Sequence, residues 1–231
     1  MTSRRHQEDL RSYGRRRARA PSARQQALRR EVLPRVAVPA DAQALADLPA
    51  LFTTPVSDVW LEIGFGGGEH LVWQAKAHTH VGLMGCEPFE DGVIKLLGAI
   101  EREGLANIRV CPDDARPLLR LLPRASLGRV FILFPDPWPK KRHHKRRIVS
   151  PATLAEIARI LRPGGELRIA TDVAAYAAAV LHVAMRNREL RWTAQAPQDW
   201  RSRGPDWPET RYEAKAASAG RRCYFFRFER L

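Results

Sequence analysis

From about Asp58 onward, short apolar runs alternate with segments whose apolar positions recur every three or four residues. The first pattern predicts strands and the second helices. Val59–Ile63 is an apolar run ahead of a glycine-rich turn, and Glu69–Ala77 reads as a helix. Val81–Cys86 predicts a second strand, Asp91–Glu103 a second helix and Ile108–Cys111 a third strand, with a short helix near Arg116–Leu122. Val130–Phe134 is almost wholly apolar, as a strand covered on both faces requires. Ser150-Pro151 places serine at a helix cap and proline in the first turn. That helix runs to Leu161 and stops at Arg162-Pro163-Gly164-Gly165, a turn signal. Glu166–Ala170 is the next strand, Val173–Arg188 a long helix, and Arg191–Ala194 and Cys223–Glu229 the last strands.

Repeated strand–helix units predict an α/β fold, a mostly parallel sheet with helices on both faces. Ligands of such sheets bind beyond the carboxyl ends of the strands, so the residues just after each strand carry the information. The pattern is absent from Met1 to about Arg35. That stretch has few apolar residues and holds eleven Arg against three acids, a net of +8 out of +14 for the 231-residue chain. It reads as a disordered or partly ordered basic arm (1–35) ahead of one domain (36–231), either a sequence-blind phosphate clamp or a solubilising tail.

The overall excess of positive charge points to a polyanionic partner, nucleic acid before an anionic membrane surface. No apolar run approaches the ~20 residues of a membrane span, and no apolar core follows the basic N-terminus as in a secretory signal. Cys86, Cys111 and Cys223 stand at no metal-ligand spacing and sit near strands, so they read as small buried hydrophobes in a reducing compartment. The expectation is a cytoplasmic protein with no metal, no membrane contact and no obligate protein partner.

After the first strand comes LEIGFGGGEH. Gly64, Gly66 and Gly68 allow a tight turn and close backbone approach to a ligand. Their spacing is G-x-G-x-G and not the G-x-G-x-x-G of a dinucleotide site, which disfavours a nicotinamide oxidoreductase. Glu62, inside the strand end, suits a ligand bearing an ammonium group better than a pyrophosphate. Glu87, 19 residues beyond Gly68, suits the two ribose hydroxyls of an adenosine. Asp113-Asp114-Ala115 follows the third strand, where an acid can take an adenine amino group or simply cap a helix. The fourth strand ends in Phe134-Pro135-Asp136-Pro137-Trp138, whose prolines fix the backbone around Asp136. Lys140–Arg147 then packs six Lys or Arg and two His into eight positions. Such a run is usually a solvated face, but its place beside the presumed site favours RNA phosphate contacts.

Taken in order, LEIGFGGG, GCEP, DDA, FPDPWPKKRHHKRR, LRPGGELRIATD and TRYE resemble the tRNA (guanine-N(7)-)-methyltransferase family, from about Trp60 to the C-terminus. The resemblance implies a Rossmann-like class I methyltransferase fold, S-adenosylmethionine as methyl donor and tRNA as partner, with 7-methylguanosine in the variable loop as product. It implies cofactor contacts at Glu62, Gly64, Gly66, Glu87, Asp114, Ala115 and Asp136. Substrate contacts are implied at Lys140, Asp172, Thr210, Arg211, Tyr212 and Glu213, and RNA contacts at Arg142, His143, His144, Lys145, Arg146 and Arg147. Pro88-Phe89 and the alanine-rich stretch after Glu213 depart from the family's usual pattern.

The chemistry fits that reading. N(7) of guanine is an acceptor with a free lone pair, so attack on a sulfonium methyl needs no general base. Alignment and negative charge near the developing cation are what an enzyme can add, and Asp136 is the candidate catalytic group. Two rivals stay open: an amino-methyltransferase on another nucleic-acid base, whose strand-end tetrad is a scrambled relative of Asp136-Pro137-Trp138-Pro139, and a non-catalytic RNA-binding protein on the same fold.

Overall fold

The computed structural model describes residues 22–231, which form two compact units, one ending at Pro123 and the other spanning Arg124–Leu231. Most of the expected basic arm lies outside the described residues. Its described part is helical: α1 (Ala23–Glu31) carries a capping box between Ser22 and Gln25, and α2 (Leu33–Val36) follows with proline in its first turn. The apolar residues Leu28, Val32 and Val36 of this part are all buried.

In the first unit the strands run in the order β3-β2-β1: β1 (Asp58–Ile63), β2 (Val81–Cys86) and β3 (Ile108–Cys111). Between and after them lie α3 (Glu69–Ala77), α4 (Glu90–Glu103) and α5 (Ala115–Leu121). All pairings are parallel. Ile63 stands opposite Cys86 and Cys86 opposite Cys111, so the three strands end level. The ladder continues one step further, with Gly64 N donating to Cys86 O at 2.8 Å and Glu87 N to Cys111 O at 3.1 Å. Gly64 and Glu87 therefore share one edge. On α4 the buried Val93, Ile94, Leu96, Leu97 and Ile100 recur at helical spacing, each contributing about 1.5–3 kcal/mol by burial. Arg24–Glu101 and Arg29–Glu90 ion pairs join α1 to this helix.

In the second unit the order is β4-β5-β7-β6. β4 (Leu127–Leu133) and β5 (Leu161–Thr171) are parallel. β6 (Leu190–Trp192) and β7 (Tyr224–Arg230) add antiparallel pairs. The Arg-Pro-Gly-Gly turn is an excursion within β5 rather than a gap before it: Leu161 faces Leu127, and pairing resumes at Glu166 opposite Arg129, with Gly164 at φ +76°. α6 (Pro151–Ile160) begins at Ser150 as expected. α7 (Ala174–Ala184) is shorter than its pattern suggested, because Asn187 turns the chain by accepting from Glu189 N at 2.9 Å. The short α8 (Gln198–Arg201) and α9 (Arg211–Ser218) were not evident from periodicity. No helix among the described residues is long and apolar enough to cross a membrane.

The Cys86 thiol is buried, and its hydrogen bond with Cys111 together with that burial pushes it well above the ordinary thiol range. Burial pushes Cys223 up to about 11. Both remain protonated thiols near neutral pH, as small core residues do.

Candidate functional site

In the first unit the glycine turn leaves β1 with Gly64 and Gly66 in the left-handed region, at φ +76° and +57°. A Cβ on Gly64 would meet nothing within 4 Å, so the turn presents bare backbone to open space. Glu87, only 9% exposed, holds the turn in place: its Oε2 accepts from Gly66 N at 2.8 Å and its Oε1 from Phe89 N at 2.9 Å. Each carboxylate oxygen has further acceptor capacity. Gly92, in the first turn of α4, packs against the same place, where a Cβ would stand 2.1 Å from Gly66 O.

Glu62 is buried under the turn, and its Oε2 pairs with His70 Nδ1 at 2.8 Å. The Gln74 amide nitrogen lies 3.1 Å from His70 Nε2. With the Gln74 amide donating to Nε2, Nδ1 is the donor toward Glu62. His70 and Gln74 were missed in the sequence, where they read only as helix positions. Asp114 caps α5, accepting from Arg116 N at 2.9 Å, and pairs with Arg116 Nη1 at 2.7 Å. Of this pair of acids it is Asp114, next to buried Ala115, that caps the helix.

In the second unit β4 ends one residue earlier than its apolar run implied. Phe134 still donates its N–H to Ala170 O at 2.8 Å but turns into the left-handed region at φ +50°, and Trp138 does the same at +41°. For bulky residues this costs about 1–3 kcal/mol each and persists only where surrounding contacts enforce it. Between them Asp136 is exposed. Its carboxylate has no hydrogen-bond or ion-pair partner among the described residues, unlike Glu62, Glu87, Asp114, Asp172 and Glu213.

The Thr210–Glu213 run comes to this loop through Tyr212, whose ring stacks on Phe134 at 6.3 Å and 18°. Thr210 is buried and caps α9 by accepting from Glu213 N at 3.2 Å. Arg211 lies over the Tyr212 ring, 4.9 Å from its centroid. Glu213 Oε1 accepts from Arg203 Nε at 3.0 Å, while its Oε2 is buried without a hydrogen-bond partner among the described residues. Asp172, after β5, accepts from Arg221 Nε at 2.8 Å. Arg203 and Arg221 had no signal in the sequence beyond being two arginines among many.

The basic run forms a 3-10 helix, Lys141–Arg146. Lys140, Arg142, His144 and Lys145 are exposed, whereas His143, Arg146 and Arg147 are half-buried. His143 sets its ring edge-on to Trp138 at 5.8 Å, and the Arg146 guanidinium lies 5.0 Å from the centre of the same ring. Desolvation, then the charges of Arg146, Arg142 and Lys140, hold the His143 imidazole below its ordinary range. Among the described residues no group of three or more His, Cys, Asp or Glu is arranged to hold a metal.

Residues 57–226 match the family model described as "Putative methyltransferase". A tRNA (guanine-N(7)-)-methyltransferase of Rhodospirillum rubrum is 49% identical over 227 residues, 96% of this chain and 89% of the relative. The enzyme of the same name from Nitrobacter hamburgensis is 45% identical over 94% of this chain and 86% of its own. A solved structure of an antibiotic-related methyltransferase, 14% identical, superposes with a TM-score of 0.56 over 86% of this chain and 98% of that one. That likeness concerns the fold, a Rossmann-like class I methyltransferase.

Proposed function

The chain belongs to the tRNA (guanine-N(7)-)-methyltransferase family, and from that premise we propose how its residues divide the work. It is an enzyme that transfers a methyl group from S-adenosylmethionine to N(7) of a guanine in tRNA. S-adenosylmethionine, when bound, supplies an electrophilic sulfonium methyl. The bare turn at Gly64 and the buried acids around it fit that group: Gly64 and Gly66 give backbone approach, Glu87 accepts the ribose hydroxyls, and Glu62, fixed by His70, faces the ammonium charge. Asp114 and Ala115 flank the adenine, with Asp114 keeping its cap. Asp136 is shared between cofactor and base.

On the substrate side, the observation that carries the reading is the exposed Asp136 carboxylate, unpartnered among the described residues in a loop fixed by prolines. The guanine ring becomes cationic as N(7) is methylated, and a fixed carboxylate stabilises that charge without removing a proton. Glu213 Oε2, buried without a partner among the described residues, suits the donor groups of guanine, whose N2 amine donates. Asp172 and Thr210–Tyr212 complete the base site, and Lys140 with the exposed Arg142, His144 and Lys145 takes tRNA phosphates. The working place is the cytoplasm and the modified position the variable loop.

Labelled methyl transfer to unmodified tRNA, followed by digestion to nucleosides and mapping, tests this. The expected product is 7-methylguanosine in the variable loop; label on an adenine amine sinks the reading. Gly92→Ala tests the cofactor half. Its Cβ forces Gly66 to move, and overpacking of this kind costs about 1–3 kcal/mol. Affinity for S-adenosylmethionine measured by calorimetry falls by about tenfold, and an unchanged affinity shows that the turn does not hold the cofactor.

A further inference from the structure

The segment Phe134–Pro139 carries three prolines, Pro135, Pro137 and Pro139. Each lacks an N–H, so the segment has few donors with which to knit itself together, yet two of its bulky residues sit in the left-handed region. Something outside the segment must fix it. Arg147 does so. Its Nε donates to Pro137 O at 2.8 Å and its Nη2 to Trp138 O at 3.4 Å. The guanidinium plane lies over the ring of buried Tyr176, 4.9 Å from its centroid. A planar fork that reaches two carbonyls and stacks on a ring is a use of arginine that lysine cannot copy.

The rest of the basic run divides the same way. In a 3-10 helix side chains three apart fall in one column. His143 and Arg146 form the column that packs on Trp138, while Arg142 and Lys145 form an exposed one. The run therefore has an inward face that holds the loop and an outward face open to phosphates.

We propose that Arg147 is a positioning residue for methyl transfer, clamping the Pro137–Trp138 backbone so that Asp136 is held toward the guanine, and that it is not part of the phosphate grip. The proposal rests on the reading of Asp136 given above.

Arg147→Lys separates the two roles, because it keeps the charge and loses the fork. Under single-turnover conditions Arg147→Lys and Arg147→Ala both lower the rate of methyl transfer by about 30- to 100-fold, as small misplacements of catalytic groups do. Their tRNA dissociation constants and salt slopes match those of the unaltered enzyme. Arg142→Ala instead weakens tRNA binding and lowers the salt slope by about one. Added guanidinium restores part of the Arg147→Ala rate, while sodium chloride at equal ionic strength does not; this readout stands even if the alanine variant loses thermal stability. A normal rate for Arg147→Lys, or a flattened salt slope for Arg147→Ala, overturns the proposal. Asp136→Ala is run alongside. If it keeps its turnover the Asp136 reading fails; if it is inactive while Arg147→Lys is normal, only the clamp fails.

Discussion

Asp136→Ala lowers methyl transfer to tRNA by about two to three orders of magnitude, the usual loss when a fixed electrostatic partner of the transition state is removed. Affinity for tRNA stays within about twofold, because phosphate contacts dominate nucleic-acid affinity and Asp136 supplies none. Both follow from the same feature. The carboxylate is exposed, free of partners among the described residues, and set in a loop fixed by prolines and by Arg147. Its removal therefore uncovers no buried group and costs the fold little. Asp136→Asn refines the test, since the amide keeps the shape and a hydrogen-bonding oxygen but not the charge. A rate close to that of the alanine variant assigns the effect to charge; a rate close to normal assigns it to hydrogen bonding. Single-turnover transfer of labelled methyl, with tRNA binding measured in parallel, gives both numbers. Near-normal turnover by Asp136→Ala removes it from the mechanism.

The strand ends were legible because apolar runs stop where the chain leaves the sheet. Glu69–Ala77, Val81–Cys86 and Ile108–Cys111 stand in the structure as the pattern drew them. Phe134 misled because hydrophobicity continues past the point where the backbone turns left-handed, and periodicity does not register φ. The helix at Arg211–Ser218 went unread because its short alanine-rich body offered no periodic run to follow. The acids of the site were visible as acids after strands. The groups that orient them were not: His70 on Glu62, Arg203 on Glu213 and Arg221 on Asp172 are pairings made by folding. The basic run shows the limit most clearly. As a string, its arginines are equivalent, and the division between Arg146 inside and Arg142 outside exists only once a three-residue turn is imposed on them.

Glu87→Ala raises the dissociation constant for S-adenosylmethionine by about 100-fold or more. Two losses combine. The carboxylate accepts from Gly66 N and Phe89 N in a place only 9% exposed, and a buried donor left unsatisfied costs about 1–3 kcal/mol. Part of that cost falls on the fold and part on the cofactor, since the Gly66 turn must be reordered when the ligand binds. The second loss is the acceptor for the ribose hydroxyls, itself worth about 1.5–3 kcal/mol as a charged hydrogen-bond partner. A 2′-deoxyribose analogue of the cofactor tells them apart. The unaltered enzyme binds it more weakly than the ribose form, whereas Glu87→Ala binds the two alike, because the discriminating acceptor is gone. If Glu87→Ala binds weakly yet still discriminates, the residue acts only by holding the turn, and the ribose is read elsewhere. If its affinity stays within about threefold of normal, less than 1 kcal/mol, Glu87 has no part in the cofactor site.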